Sequence, residues 1–372
     1  MEREELSLCI EGNNDMKQRF YYLAMCTTIL SHFILYAPYI LKQNLYDGTG
    51  TAIIIALIVS SANAYMTIYV YNTYKNKNLL DINRILLGKF FGGFFSFINI
   101  IANLTISFFM YRGLIEVISR FMLTSTPSWI IAITLTLIFY VGLLNTNKSF
   151  LQFVGFISIF VMFSCIIYIL LSMKSFHMYY AKAAFIHSFK TPKLITIGAA
   201  SFFFTGVSHL ALFNPEFKRL NFRGTLSIYI FIGVAVAILA VYLPAGMLGP
   251  YYMQKVLLTV MSASDTISVD LFIIERAAYI LLPMVFLLGA SDTIIWGYMG
   301  WGLTRTAIPN KKVNLGIFNI IIVLFAFLAS RLKESTDVME YGSIGISIAL
   351  ASHYLLFVIL FIMTKIKEGR KA

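Results

Sequence analysis

The stretch that decides the fold is Gly198 to Pro215, GAASFFFTGVSHLALFNP. With the residues just before it, it is apolar over the roughly 20 residues that a membrane helix needs. Yet it carries Gly206, Ser208 and His209, and it ends in Asn214-Pro215. Near the start of the chain, another apolar stretch contains Ser31 to Pro38, SHFILYAP. Set beside Ser208 to Pro215, SHLALFNP, it repeats Ser-His, Leu, an aromatic and Pro at the same spacing. The chain has 5 His, and two of them fall at this one point of the pattern. Interrupted apolar segments at matching places in two halves are the sequence sign of a transporter-type binding site.

Composition agrees. Of the 372 residues, 59% are hydrophobic and 12% charged. Soluble domains carry about a quarter charged residues, so this chain reads as an all-α integral membrane protein. It is expected to form one transmembrane domain over 1–372. The net charge of +12 does not point to nucleic acid, because the Lys and Arg lie between apolar segments rather than on one arm or face. Their expected role is orientation and contact with anionic membrane lipid. The first residues, MEREELSLCIEGNNDMKQR, have no apolar core or small-residue cleavage site and do not read as a signal peptide. Cys9, Cys26 and Cys165 are scattered and suggest neither a disulfide framework nor a metal site.

Ten spans are expected, at roughly 20–41, 51–73, 91–118, 127–146, 149–172, 194–214, 224–249, 276–303, 314–331 and 341–364. With the N-terminus inside, most Lys and Arg fall on the inner side, including Lys365, Lys367, Arg370 and Lys371, so both termini are expected in the cytoplasm. Lys75 to Lys89 mixes Leu and Ile with charge at helical spacing and is expected along the inner interface. Residues 251–275 are too polar to span and suggest a short outer helix pair. Residues 173–192 suggest a partly amphipathic outer connection.

A helix broken inside the membrane must line a cavity or be buried in protein, since a free backbone group in hydrocarbon costs several kcal/mol. Gly206, between Thr205 and Ser208, gives the sixth span a place to unwind. Its freed N–H groups suit a carboxylate and its freed carbonyls an ammonium. Thr28 and Ser31 are the matching polar groups of the first span. His32 and His209 can bind or relay protons, or stay neutral on a nearby carbonyl. Pro38 and Pro215 read as span ends.

The third span holds Asn99, Asn103, Ser107, Tyr111, Arg112 and Glu116. Arg112 and Glu116, four apart, share a face and can pair as a structural clamp or as a gate. The eighth span holds Ser291, Asp292 and Thr293 midway along it. An acid inside a membrane is a functional candidate, here for a cation, a proton or an amine. No enzyme signal is present: Ser-His adjacency is not a triad, GYMGWG at 297–302 follows no strand, and no Cys/His cluster has zinc spacing. Neither catalysis nor a cofactor is expected.

Two segments carry a family resemblance: Phe202 to Lys218, FFFTGVSHLALFNPEFK, and Ser268 to Leu287, SVDLFIIERAAYILLPMVFL. The first resembles the Gly-containing sixth span of the B-subunit, permease-like component of GerA-type spore germinant receptors. Those receptors belong to the amino acid–polyamine–organocation transporter superfamily. The second is similar to that family's aromatic and charged entry into its eighth span, here Phe272, Glu275 and Arg276. The resemblance runs over essentially the whole chain. It implies a five-plus-five inverted repeat of leucine-transporter type (about 20–172 and 194–364) with broken first and sixth helices. It also implies germinant sensing, usually of an amino acid, in the inner membrane of a dormant spore, with an A-type membrane subunit and a C-type lipoprotein as partners. The nutrient would lie between the first and sixth spans, walled by the third and eighth. An ion- or proton-coupled amino acid transporter is the alternative. The chain departs from the family in one place. Residues 28–38, TILSHFILYAP, hold no Gly, so the resemblance offers no glycine-lined route to a substrate carboxylate on that side.

Overall fold

The computed structural model describes residues 18–217, 220–271, 274–276, 278–308, 310–332 and 335–370, with side chains described outside 268–281. The chain is a bundle of helices: α1 Gln18–Ser31, α2 Tyr36–Gln43, α3 Thr49–Thr73, α4 Leu79–Val117, α5 Ser128–Leu143, α6 Asn147–Ser172, α7 Met178–Ile186, α8 Leu194–Ser201, α9 Leu210–Phe213, α10 Phe222–Leu248, α11 Pro250–Lys255, α12 Thr259–Ser264, α13 Ala278–Ala307, α14 Lys311–Arg331 and α15 Ser335–Gly369.

Among the described residues, seven helices are long and apolar enough to cross a membrane. The number rises to nine when two bent pairs are each taken as one span. Those pairs are α1 with α2, bent by 41°, and α8 with the helical run Gly206–Glu216, bent by 56°. They are the two stretches whose sequence patterns match. Helix α5, at 16 residues, is apolar but shorter than those seven.

The first break has a local cause. Pro38 lies in the first turn of α2, where its missing N–H leaves the Ile34 carbonyl without a helical donor and its ring excludes a continuous helix. Ser31 closes α1 by donating its Oγ to the Thr28 carbonyl at 2.6 Å. Pro38 therefore opens the second half of a span instead of ending one, as the sequence reading had it. Pro215 does lie at an end, in the short 3-10 turn Asn214–Glu216.

Three further details differ from the sequence expectation. The third span starts earlier, at Leu79, and turns at Gly88, whose φ of 78° and ψ of −177° suit glycine. The arm before the turn folds against the span: Gly92 lies against the Asn83 carbonyl, and Asn83 Nδ2 donates to Ser96 Oγ at 2.9 Å. Residues 250–275 form the expected helix pair, α11 and α12. They also form a strand, β1 Ser268–Leu271, that pairs antiparallel with β2 Ile274–Arg276, so the eighth span starts at Ala278 and not at Arg276. Phe272 lies outside the described residues.

Helix α13 is the central post. Its membrane-length window, Leu282–Ala307, is 83% buried, against 17% for α14, which faces outward. Its closest neighbour is α4, and α6 and α1 also lie on it. Glycines make this contact close. Gly289 fits against Leu114, Gly297 against Ser107 and Gly300 against Leu104.

Candidate functional site

The two breaks meet. A Cβ built on Gly206 would stand 2.9 Å from both Cα and the carbonyl oxygen of Met25, and closer still to the Met25 side chain. Only glycine lets the backbones of α1 and the Gly206–His209 turn approach this far. Beside that contact, Thr28 Oγ1 and His209 Nε2 are 3.2 Å apart, a hydrogen bond directly across the junction.

The unwound residues 202–205 free backbone groups that the surrounding spans satisfy. The Phe204 carbonyl accepts from Tyr229 of α10 and, at 3.2 Å, from Tyr354 of α15. The Gly206 carbonyl accepts from Tyr21 at 3.5 Å. Thr205 and Ser208 turn their hydroxyls onto local carbonyls, Phe202 at 3.2 Å and Thr205 at 2.7 Å. At the C-terminal end of the same span, Asn214 Nδ2 donates to the carbonyls of Tyr74 and Lys77, at 3.1 and 2.8 Å.

A fully buried polar cluster fills the junction. It contains Thr28, Ser31, His32, His209, Asp292, Trp296 and His353. The His209 ring meets Trp296 edge-on at 5.4 Å, and Trp296 lies 6.1 Å from His353. His353 Nδ1 accepts from Asn99 Nδ2 at 2.8 Å, and Asn103 donates to Asn99, so α4 joins the cluster through its two asparagines. His32 lies beside Phe202 at 5.6 Å. Several of these groups lack a protein partner: both nitrogens of His32, Nδ1 of His209, Nε2 of His353, Nε1 of Trp296 and both oxygens of Asp292. Buried polar atoms are normally paired, so this concentration makes the junction the candidate site. Thr205 and Ser208 line a small cavity of about 10 Å³, the size of a single water site, with Asn63, Thr67, His353 and Tyr354.

The residues singled out from sequence thus divide. Thr28, Ser31, His32, Asn103, Thr205, Gly206, Ser208, His209 and Asp292 gather at the junction or on its cavity. Thr293 belongs to packing: its Oγ1 bonds Gly289 O at 2.7 Å, and its carbonyl accepts from Ser107 at 2.8 Å. Ser291, two residues before it, is buried with its hydroxyl unpaired. Tyr111 ties α4 to α5, through Ala132 O and Thr136 Oγ1, both at 2.8 Å. Arg112 pairs with Glu116 at 3.0 Å and donates twice to the Leu332 carbonyl, and Glu116 also takes Arg120 and Ser335. That network fastens α4 to the turn between α14 and α15. It joins these helix ends in this state, as either a clamp or a closed gate would.

Trp296 and His353 were missed by the sequence reading. Trp296 stands four residues after Asp292 and so shares its face. His353 had a signal: Ser352-His353 is a third Ser-His pair, after Ser31-His32 and Ser208-His209.

No curated protein matches the chain. A family model described as a spore germination protein, of the spore permease type, matches residues 16–338, from before α1 into the start of α15. Apolar helices of membrane length and this match over most of its length place the chain in the spore germination protein family, as a germination-related membrane protein.

Proposed function

We propose that the chain is the permease-like membrane subunit of a spore germinant receptor, binding a small nutrient, an amino acid by preference, at the junction of its two broken spans. One observation carries this reading: the Gly206–Met25 contact and the Thr28–His209 bond bring the breaks together around buried polar groups that have no protein partner. In this reading the ten helical segments form two inverted five-span repeats, about 20–172 and 194–364. Both termini face the cytoplasm, the membrane is the spore inner membrane, and the partners are an A-type membrane subunit and a C-type lipoprotein.

Binding shifts the two halves relative to one another, and the shift is the signal. The test is nutrient binding to the purified full-length chain in nanodiscs, with Gly206→Leu as the variant. Binding by the wild-type chain and its loss in the variant are expected. Unchanged binding in a folded variant refutes the site.

Asp292 favours a second reading, transport of an amino acid coupled to protons or sodium. Gradient-driven uptake into proteoliposomes, abolished in Asp292→Asn, would establish it in place of the receptor reading.

A further inference from the structure

Asp292 is fully buried, and neither carboxyl oxygen meets a protein donor in hydrogen-bond geometry. Thr28, Ser31 and Trp296 are the polar side chains turned toward it. Trp296 lies one turn on along the same face of α13, with its Nε1 also unpartnered. The imidazoles of His209 and His353 stand against that indole, at 5.4 and 6.1 Å. Among the described residues no Lys or Arg pairs with Asp292; the nearest buried cation on α4, Arg112, is engaged by Glu116 and Leu332.

A lone charge in a dry interior is costly, and an opposite charge at hydrogen-bond distance offsets that cost. An acid beside an indole is the pairing that recognises an organic ammonium group. The carboxylate supplies charge, and the ring face supplies a cation–π contact that strengthens with desolvation. Bare inorganic cations ask for something else: calcium takes six to eight oxygens, and magnesium a near-ideal octahedron. The described residues hold no group of three His, Cys, Asp or Glu placed to share a metal ion.

We infer that the junction takes its nutrient by an ammonium head, with Asp292 as counter-ion and Trp296 as the ring beneath it. His32, His209 and His353 are the buried imidazoles of the same cluster. The remainder of the nutrient lies toward the unwound residues 202–205. This rests on the proposed reading of the junction as the binding site. It adds that the amine is the obligatory part of the nutrient, because the cluster offers a negative group and no positive one.

The test uses the full-length chain in nanodiscs and four probes: L-alanine, n-butylammonium, n-butyrate and sodium ion, each followed by thermal stabilisation and equilibrium binding. L-alanine and n-butylammonium are expected to bind and n-butyrate is not. Asp292→Asn is expected to weaken both amines at least tenfold, and Trp296→Leu severalfold. The probe comparison on the wild-type chain needs no variant, so it decides the matter even if Asp292→Asn fails to fold. L-alanine bound equally by a folded Asp292→Asn chain, or n-butyrate bound as well as n-butylammonium, overturns the ammonium assignment and leaves the junction as a binding site. Stabilisation by sodium alone, lost in Asp292→Asn, overturns it in favour of an inorganic cation. Binding of no amine at all to the wild-type chain overturns this inference and the junction reading together.

Discussion

Replacing Gly206 with alanine tests the junction most directly. The added Cβ would lie 2.9 Å from Cα and O of Met25. Ordinary contact begins about 0.5 Å further out, and both neighbours are backbone atoms that cannot rotate aside. The α1 backbone and the 206–209 turn must therefore separate by about that much. Thr28 and His209, 3.2 Å apart, then stand at roughly 3.7 Å, beyond a useful hydrogen bond. Overpacking costs about 1–3 kcal/mol and the lost bond about 1 more, so a destabilisation of about 2–4 kcal/mol is expected. Reversible SDS unfolding in mixed micelles measures it. Two other glycines calibrate the scale. Gly198→Ala meets the Ser347 side chain, whose hydroxyl can swing away, and should cost less. Gly93→Ala meets nothing within 4 Å and should be neutral or stabilising by up to about 1 kcal/mol, the ordinary helix preference for alanine. If Gly206→Ala unfolds together with Gly93→Ala, the close approach of the two breaks is not what holds the junction.

Tyr229→Phe and Tyr354→Phe each remove one donor from the Phe204 carbonyl; either alone should cost about 1 kcal/mol, and the double variant more than the sum, because the carbonyl is then left bare. The same unfolding assay reads this, and strict additivity would contradict it. Arg112→Ala should destabilise by about 3 kcal/mol by stranding Glu116, and Arg112→Met combined with Glu116→Leu should recover most of the loss; a double variant as unstable as the single one would show that the pair does more than clamp the helix ends. Tyr111→Phe should cost about 1 kcal/mol and leave nutrient binding unchanged, since its hydroxyl serves only the α4–α5 contact; weakened binding would place Tyr111 at the site after all.

The broken spans were legible because Ser-His, Leu, aromatic and Pro recur at one spacing in two apolar runs. Gly206 was legible as a break. Its stronger role, admitting the Met25 backbone, was not, because nothing in the sequence says which segment lies opposite. Pro38 was placed at the wrong end of its segment for a related reason. A proline marks an interruption, but whether helix stops before it or starts at it depends on whether the chain resumes inside the membrane. Trp296 and His353 escaped because their part in the site comes from the fold, which brings α15 and α13 against the two breaks. Arg112 and Glu116 looked like a gate or a clamp at four-residue spacing. Their further partner, the Leu332 carbonyl some 220 residues away in sequence, was not legible, because only the fold brings it there.

Asn214 gives the sixth span a tether. Its amide holds the carbonyls of both Tyr74 and Lys77, in the loop that joins α3 to the folded-back arm of α4. A tilt of the C-terminal half of that span has to carry this loop with it or break both bonds. One side chain thus couples the broken span to an exposed patch bearing Lys75, Lys77 and Arg84.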